Sequence, residues 1–355
     1  MNGNKTKLLG LTPSELKIAL GNHFDSRSQP EYRVDQVKDW IFKECVENIN
    51  DMTNLPIDER TALDSKFCLD KASAENISRS SDGTVKHLWK LTDGELVESV
   101  LIPSSGRLTL CVSSQAGCAM GCTFCATGWA GFRRQLTTSE IVSQYRDSLN
   151  WAIKNDYGRI SNLVYMGMGE PLSNRKALHP SLTILNQGYG LGARRITVST
   201  VGIVPGILEL AQRKEQFLLA VSLHSPESEL REDLIPLEKR YPLSELMEAL
   251  FHFDKSGGRR ISFEYTMIRG VNDSLDLAPK LAKLASSLNA FVNLIPFNPI
   301  PYQNWKPSTG KRIEGFRSIL EEKGIAVAVR VPRGRDIDAA CGQLRTKALV
   351  DPSKK

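Results

Sequence analysis

The 355-residue sequence contains no apolar run near the roughly 20 residues that span a bilayer, which excludes a helical membrane protein. It shows no internal repeat and no low-complexity stretch, so a repeat array is excluded as well. The first ten residues are polar, with Lys5 and Lys7 and no apolar centre. No secretory signal is therefore expected ahead of the fold, and the expected location is cytoplasmic. Cysteine is scarce and unevenly placed: of seven, three fall within eight residues, unlike the regular framework of a disulfide-stapled secreted domain. Metal or redox chemistry is the better reading. The charge excess is small, +6, which favours a polyanionic partner without excluding a small-molecule enzyme. A hydrophobic content of 41% and a charged content of 24% are those of an ordinary globular protein, long enough for one large domain and a smaller module.

The chain opens as helix. Thr12-Pro13-Ser14-Glu15 supplies an N-cap, a proline at the first helical position and a capping box, and Leu16, Ile18, Ala19 and Leu20 follow. A second helix starts near Arg33, with Val34, Val37 and Ile41 on one face, and a third follows Pro56. Together they form an N-terminal helical accessory module, residues 1–80. Val85 to Leu91 and Leu96 to Ile102 alternate like strands around the turn dipeptide Asp93-Gly94, giving a hairpin connector, 81–107. From Leu108 short β-rich runs alternate with amphipathic helices, the pattern of an α/β fold built on a parallel sheet. The strands are 108–113, 163–166, 196–199, 217–223, 261–267 and 291–295, with 325–330 as a seventh run. Six units make a partial (β/α)6 barrel over residues 108–345, followed by a frayed tail, 346–355.

Directly after the first barrel strand stands Cys118-Ala119-Met120-Gly121-Cys122-Thr123-Phe124-Cys125. Three thiolates on one tight loop suit a four-iron cluster and leave one iron open. The amino and carboxylate groups of S-adenosylmethionine can occupy such an open position, and an electron from the cluster can then cleave the sulfonium to a deoxyadenosyl radical. A zinc knuckle with a distant fourth ligand is the competing reading. Other polar clusters also follow strand ends, where barrel enzymes build their sites: Gly167-Met168-Gly169-Glu170-Pro171, Ser199-Thr200, Ser222-Leu223-His224 and Asn298-Pro299. Glu170 suits the ammonium group of the cofactor, and the small polar groups suit ribose or adenine; each alone could equally cap a helix or satisfy a loop. Cys111, inside the first barrel strand, and Cys341, in Asp336 to Leu344, stand apart from Cys45 and Cys68, which read as packing.

From about Tyr32 to Leu344 the sequence resembles the RlmN/Cfr family of radical-SAM RNA methyltransferases. The resemblance is carried by Cys111-Val112-Ser113-Ser114-Gln115, the three-cysteine loop with Ala126-Thr127-Gly128, Gly167 to Pro171, and Asp336 to Leu344. It implies a [4Fe-4S] cluster on Cys118, Cys122 and Cys125, with S-adenosylmethionine held by Gly169, Glu170, Ser199, Ser222, Leu223, His224 and Asn298. It implies two molecules of S-adenosylmethionine per turnover: one methylates Cys341, and the other provides the radical that activates this methyl group for addition to adenine. Cys111 then releases the product by forming a disulfide with Cys341, and Glu98 is the implied proton acceptor. The implied substrate is an adenine of 23S rRNA, and for some members also tRNA, with flavodoxin or ferredoxin as electron donor and the enzyme acting as a monomer. Gly169 to Pro171 and Pro296 to Pro299 look like the C2-directed branch. Ser222 to Ser225 and Gly270 to Leu275 look as much like the C8-directed branch, and C2 is the expected position. A glycyl-radical activase is a remote alternative that gives Cys341 no purpose. Basic residues expected on the RNA side are Arg133, Arg134, Arg194, Arg195, Arg333 and Arg335.

Overall fold

In the computed structural model, residues 5–70, 72–257 and 260–345 are described; the tail expected to fray, 346–355, lies outside them. Three helices open the fold: α1 (Pro13–Asp25), α2 (Tyr32–Phe42) and α3 (Ile57–Lys66). The Thr12–Glu15 capping box forms, with both reciprocal bonds present. Leu16, Leu20, Phe24, Val34, Val37, Ile41 and Leu63 make a core of their own. Val142 and Ile184 of the following domain join that core, so the helical module is docked rather than tethered.

One ten-stranded sheet organises the rest. Its strands are β1 (Ser73–Arg79), β2 (Val85–Lys90), β3 (Leu96–Ser104), β4 (Arg107–Cys111), β5 (Asn162–Tyr165), β6 (Ile196–Thr200), β7 (Leu218–Ser222), β8 (Ile261–Met267), β9 (Phe291–Pro296) and β10 (Val327–Val329). They lie side by side in chain order; β4 to β10 are parallel, and β1 to β4 pair antiparallel. The expected partial barrel is present, with the seventh run as its last strand. The 81–107 hairpin is no separate connector, because β3 pairs directly with β4 and continues the barrel sheet. Strand β1, left within the helical module by the sequence reading, pairs with β2 as the polar outer edge of the sheet.

Between the parallel strands run α4 (Ala126–Ala130), α5 (Thr138–Lys154), α6 (Arg175–Thr183), α7 (Val204–Ala211), α8 (Ser228–Leu234), α9 (Leu243–Lys255), α10 (Leu277–Ser287) and α11 (Gly310–Glu322). The strands alternate with period two, and the two faces differ in chemistry. Leu110, Leu163, Val198, Leu219, Phe263 and Val292 are fully buried in the main core. The alternate positions Thr109, Cys111, Asn162, Thr197, Ser262, Glu264 and Asn293 line an internal cavity of about 620 Å³. A barrel interior filled by branched apolar side chains would be solid core; this lumen, with polar side chains set among apolar ones, is a chamber. Among the described residues, no helix is long and apolar enough to cross a membrane.

Candidate active site

The loops after β4 and β5 are knitted together by side chains of the Cys111 to Gln115 segment. Ser113 Oγ donates to the Glu98 carbonyl at 2.6 Å and accepts from the Met168 amide at 2.8 Å. Gln115 Oε1 accepts from the Glu170 amide at 2.8 Å, and its Nε2 donates to Gln135 Oε1 at 3.0 Å. Both glycines of Gly167-Met168-Gly169 are required by this seam. A Cβ on Gly167 would lie 2.7 Å from the Val112 carbonyl; one on Gly169, where φ is +97°, would lie 2.4 Å from Gln115 Cβ. The close approach is therefore to the neighbouring loop. Gly169→Ala should destabilise the fold by about 2 to 4 kcal/mol, from overpacking plus left-handed strain, read as a lower denaturant midpoint at unchanged slope.

A second cavity, of about 150 Å³, lies at the C-terminal end of the barrel. Cys118, Cys122 and Cys125 line it with Gly169, Glu170, Ser199, Ser222, His224, Asn298 and Cys341. Burial pushes two of these thiols up, that of Cys118 to about 12 and that of Cys122 well above the usual value. Left alone they are neutral; a metal centre supplies the positive charge that makes thiolates stable there. Among the described residues no three His, Cys, Asp or Glu side chains are arranged around a single ion. A four-iron cluster needs no such convergence, since it takes one thiolate on each of three irons. Three thiols beside a cavity that also carries Glu170, Ser199, Ser222 and Asn298 fit that group.

Glu170 is buried, and each oxygen holds a backbone amide: Oε1 that of Leu172 at 2.9 Å and Oε2 that of Val201 at 2.8 Å. Burial outweighs these bonds and raises its pKa to about 7. His224 sits at φ +57° with Nδ1 accepting from the Thr266 amide at 2.9 Å, which places the proton on Nε2. Burial holds the ring neutral, with a pKa of about 3, and Nε2 is a buried donor without a partner. Asn272, within the Gly270 to Leu275 segment, fixes that turn by donating to the carbonyls of His224 and Thr266. Leu223 is wholly buried and does not line the cavity.

Asn298 is engaged at both ends of its amide. Nδ2 donates to the Cys341 carbonyl at 3.0 Å, and Oδ1 accepts from Arg335 Nε at 2.8 Å. It thus positions the C-terminal segment. That segment is also pinned by Ala126 N–H donating to the Gly342 carbonyl at 2.7 Å and Thr127 Oγ1 to that of Leu344 at 2.6 Å. Asp336 accepts from Ser80 Oγ and the Ser81 amide, so this carboxylate serves the loop rather than the Cys341 thiol. Cys341 is exposed, and the surface it exposes faces the two cavities it lines. Cys111 lines the larger chamber with it, near enough that a thiolate on Cys341 would disfavour one on Cys111; burial pushes the Cys111 thiol up, and enclosure within the barrel does the same for Cys341.

Glu98 lines neither cavity. It is buried under the C-terminal segment and paired with Lys86 Nζ at 3.1 Å, and burial raises its pKa. Val100 opposes Cys111 in the β3–β4 register, so Glu98, two residues earlier, shares the lumen-facing side of β3. Lys86 and Glu264 were missed by the sequence reading. Polar residues alternating along β8 were the available signal, but the same alternation describes a solvent-facing strand.

The six expected basic residues divide. Arg134 is held by Asp93 and Glu140, Arg194 donates to Gln216, and Arg335 supports Asn298. Arg133 is exposed. Arg195 and Arg333 line the large chamber together with Arg107 and Arg260. Arg107 begins β4, while Arg195 and Arg260 directly precede β6 and β8, so these three mark the N-terminal mouth of the barrel.

The Radical SAM superfamily model matches residues 112–277, and that of the Ribosomal RNA large subunit methyltransferase N-terminal domain matches 6–69. A probable dual-specificity RNA methyltransferase RlmN of Gemmatimonas aurantiaca is 45% identical over 346 residues, covering 96% of this chain and 94% of that protein. The chain belongs to the RlmN family of radical-SAM RNA methyltransferases. Another RlmN relative, from Thermotoga neapolitana, is 46% identical over 90% of this chain and 92% of its own length. The crystal structure of a radical SAM methyltransferase from Sphaerobacter thermophilus superposes with a TM-score of 0.90 at 42% identity, over 96% of this chain and 99% of that one. Membership in the RlmN family implies a four-iron cluster and S-adenosylmethionine, and an RNA substrate.

Proposed function

We propose that this chain methylates C2 of an adenine in 23S rRNA, and in tRNA, through a methyl group carried on Cys341. The observation that carries this reading is that Cys341 lines both the cysteine-loop cavity and the larger chamber, with Cys111 in that chamber. Cys118, Cys122 and Cys125 would hold one cluster per chain, and Gly169, Glu170, Ser199, the Ser222 to His224 turn and Asn298 would surround S-adenosylmethionine. When bound, these groups supply one-electron cleavage of the sulfonium and hence a hydrogen-abstracting radical.

The chain's own residues do the rest. Cys341 accepts a methyl group from one S-adenosylmethionine and gives up its thiol proton; a second is spent in activating that methyl for addition to the ring. Glu98, its pKa raised by burial, takes the ring proton, a role suited to a carboxylate poised nearer neutrality. Once the adduct's unpaired electron has been given back to the redox centre, Cys111 loses its thiol proton and attacks the Cys341 sulfur; the methylene carbon departs with the C–S bonding pair and takes a proton from solvent as the disulfide forms, and cytosolic thiols reduce the disulfide again. Flavodoxin or ferredoxin would deliver the electron, and a monomer suffices because all these residues lie on one chain. The adenine must leave its stack to enter the chamber, and the arginines at the N-terminal mouth suit its flanking phosphates.

Glu170 gives a pH signature. If it pairs with the ammonium group of S-adenosylmethionine, binding favours its ionised form, so affinity rises with pH through about 7 and protons are released. Titration calorimetry in buffers of different ionisation enthalpy should show that release, and Glu170→Gln should abolish it. The regiochemistry is read by mass spectrometry of nucleosides from the 23S rRNA and tRNA of cells making the protein. 2-Methyladenosine is expected, whereas 8-methyladenosine alone would refute the C2 assignment.

A further inference from the structure

Along β8, Ser262, Glu264 and Thr266 face inward, and Glu264 is the acidic residue of the chamber wall. It is 4% exposed, in register with Ser222 of β7 and Asn293 of β9. Its Oε1 is saturated, accepting from Ser262 Oγ at 2.9 Å and Asn293 Nδ2 at 2.8 Å. Its Oε2 is buried without a hydrogen-bond partner; Arg330 Nη2 stands 3.7 Å away, close enough to offset charge but too far to donate. A buried carboxylate oxygen without a donor is costly. A role confined to bracing β8 and β9 would use Oε1 and leave Oε2 unexplained. Glu264 lines the large chamber and the cysteine-loop cavity alike, as Cys341 does, so the vacant acceptor lies at the junction of the two.

We propose that Glu264 reads the target base, its Oε2 accepting a hydrogen bond from the exocyclic amino group of adenine while Arg330 faces an adjacent ring nitrogen. This rests on the reading that the chamber receives an RNA adenine. The pairing follows from the edges of the bases: adenine places an amino donor beside ring acceptors, whereas guanine and hypoxanthine place a carbonyl oxygen where that donor would be. A carboxylate oxygen attracts the first and repels the others, so the site discriminates by leaving a buried charge unpaired in the wrong complex. Because Ser262 and Asn293 fix an acceptor at Oε1, Glu264→Gln should keep its carbonyl oxygen there and turn its NH2 to the Oε2 position. Donor would then face donor.

The test compares RNA carrying adenosine at the target with RNA carrying purine riboside, which lacks only the amino group. For the reconstituted wild-type enzyme, loss of that group should lower kcat/KM about tenfold to a hundredfold, the worth of a hydrogen bond to a charged group. Glu264→Gln should lose a similar factor on adenosine RNA and respond little to removal of the amine, so the two changes are coupled rather than additive. The adenosine-to-purine ratio is taken within each preparation, which cancels any fraction of inactive protein. An unchanged ratio in Glu264→Gln, or a wild type indifferent to the amine, overturns the role of Glu264 and leaves the function standing. A wild type that cleaves S-adenosylmethionine yet methylates no adenine-containing RNA overturns both.

Discussion

Cys341→Ala should abolish methyl transfer to RNA while leaving the iron content and the reductive cleavage of S-adenosylmethionine in place. The expectation follows from the separation of parts. Cys118, Cys122 and Cys125 sit on the loop after β4, and Cys341 arrives from the far end of the chain on a segment held by Asn298, Ala126 and Thr127 through backbone groups. Those anchors grip the carbonyls of Cys341, Gly342 and Leu344, which alanine retains. Removing one sulfur therefore deletes the proposed methyl carrier without displacing the segment. Anaerobic assays of deoxyadenosine alongside radiolabelled methyl incorporation into RNA check it. Methylation at the wild-type rate would show that the methyl group reaches RNA without residing on Cys341.

The second large effect concerns Cys111. Burial holds its thiol neutral in the resting protein, and it lies on the chamber wall within electrostatic reach of Cys341. Such a thiol is a poor general nucleophile and suits a single intramolecular attack on a sulfur already beside it. Cys111→Ala should leave transfer to the ring intact and block release, so RNA accumulates covalently bound to Cys341. A denaturing gel with labelled RNA would show a shifted band that nuclease removes and thiol does not. Free methylated RNA formed at the normal rate would contradict the release role.

Much of this site was legible from residue order alone, for physical reasons that differ by element. Thr12 with Glu15 announces a helix start because a capping box is a local bond closed within four residues. The barrel strands are legible because one face of each packs on helices and must be apolar. The three-cysteine loop is legible because thiolate chemistry concentrates on one turn. Strand β1 was not: Ser73-Ala74-Glu75-Asn76-Ile77-Ser78-Arg79 is largely exposed at the sheet edge, and its pairing is set by β2 rather than by its own pattern. Nor was Glu264, whose carboxylate faces a chamber only because the inner face of β8 closes one, a fact of topology.

Asn298, Arg134 and the two glycines of the Gly167 to Gly169 turn carry a related lesson. Their residue types suited ligand or RNA contacts, yet their visible partners are the Cys341 carbonyl, Asp93 with Glu140, and the Val112 to Gln115 loop. A polar residue at a functional rim can act by holding the segment that carries the chemistry, and only the bonds distinguish the two roles.

The most direct test of the central claim, that the methyl group is activated on Cys341 before it meets the base, is isotopic. With S-adenosylmethionine bearing a fully deuterated methyl group, the account predicts that one deuterium appears in deoxyadenosine, and that the product methyl retains the other two with one hydrogen from solvent. A product methyl that keeps all its deuterium would mean direct transfer to the ring and would contradict the account.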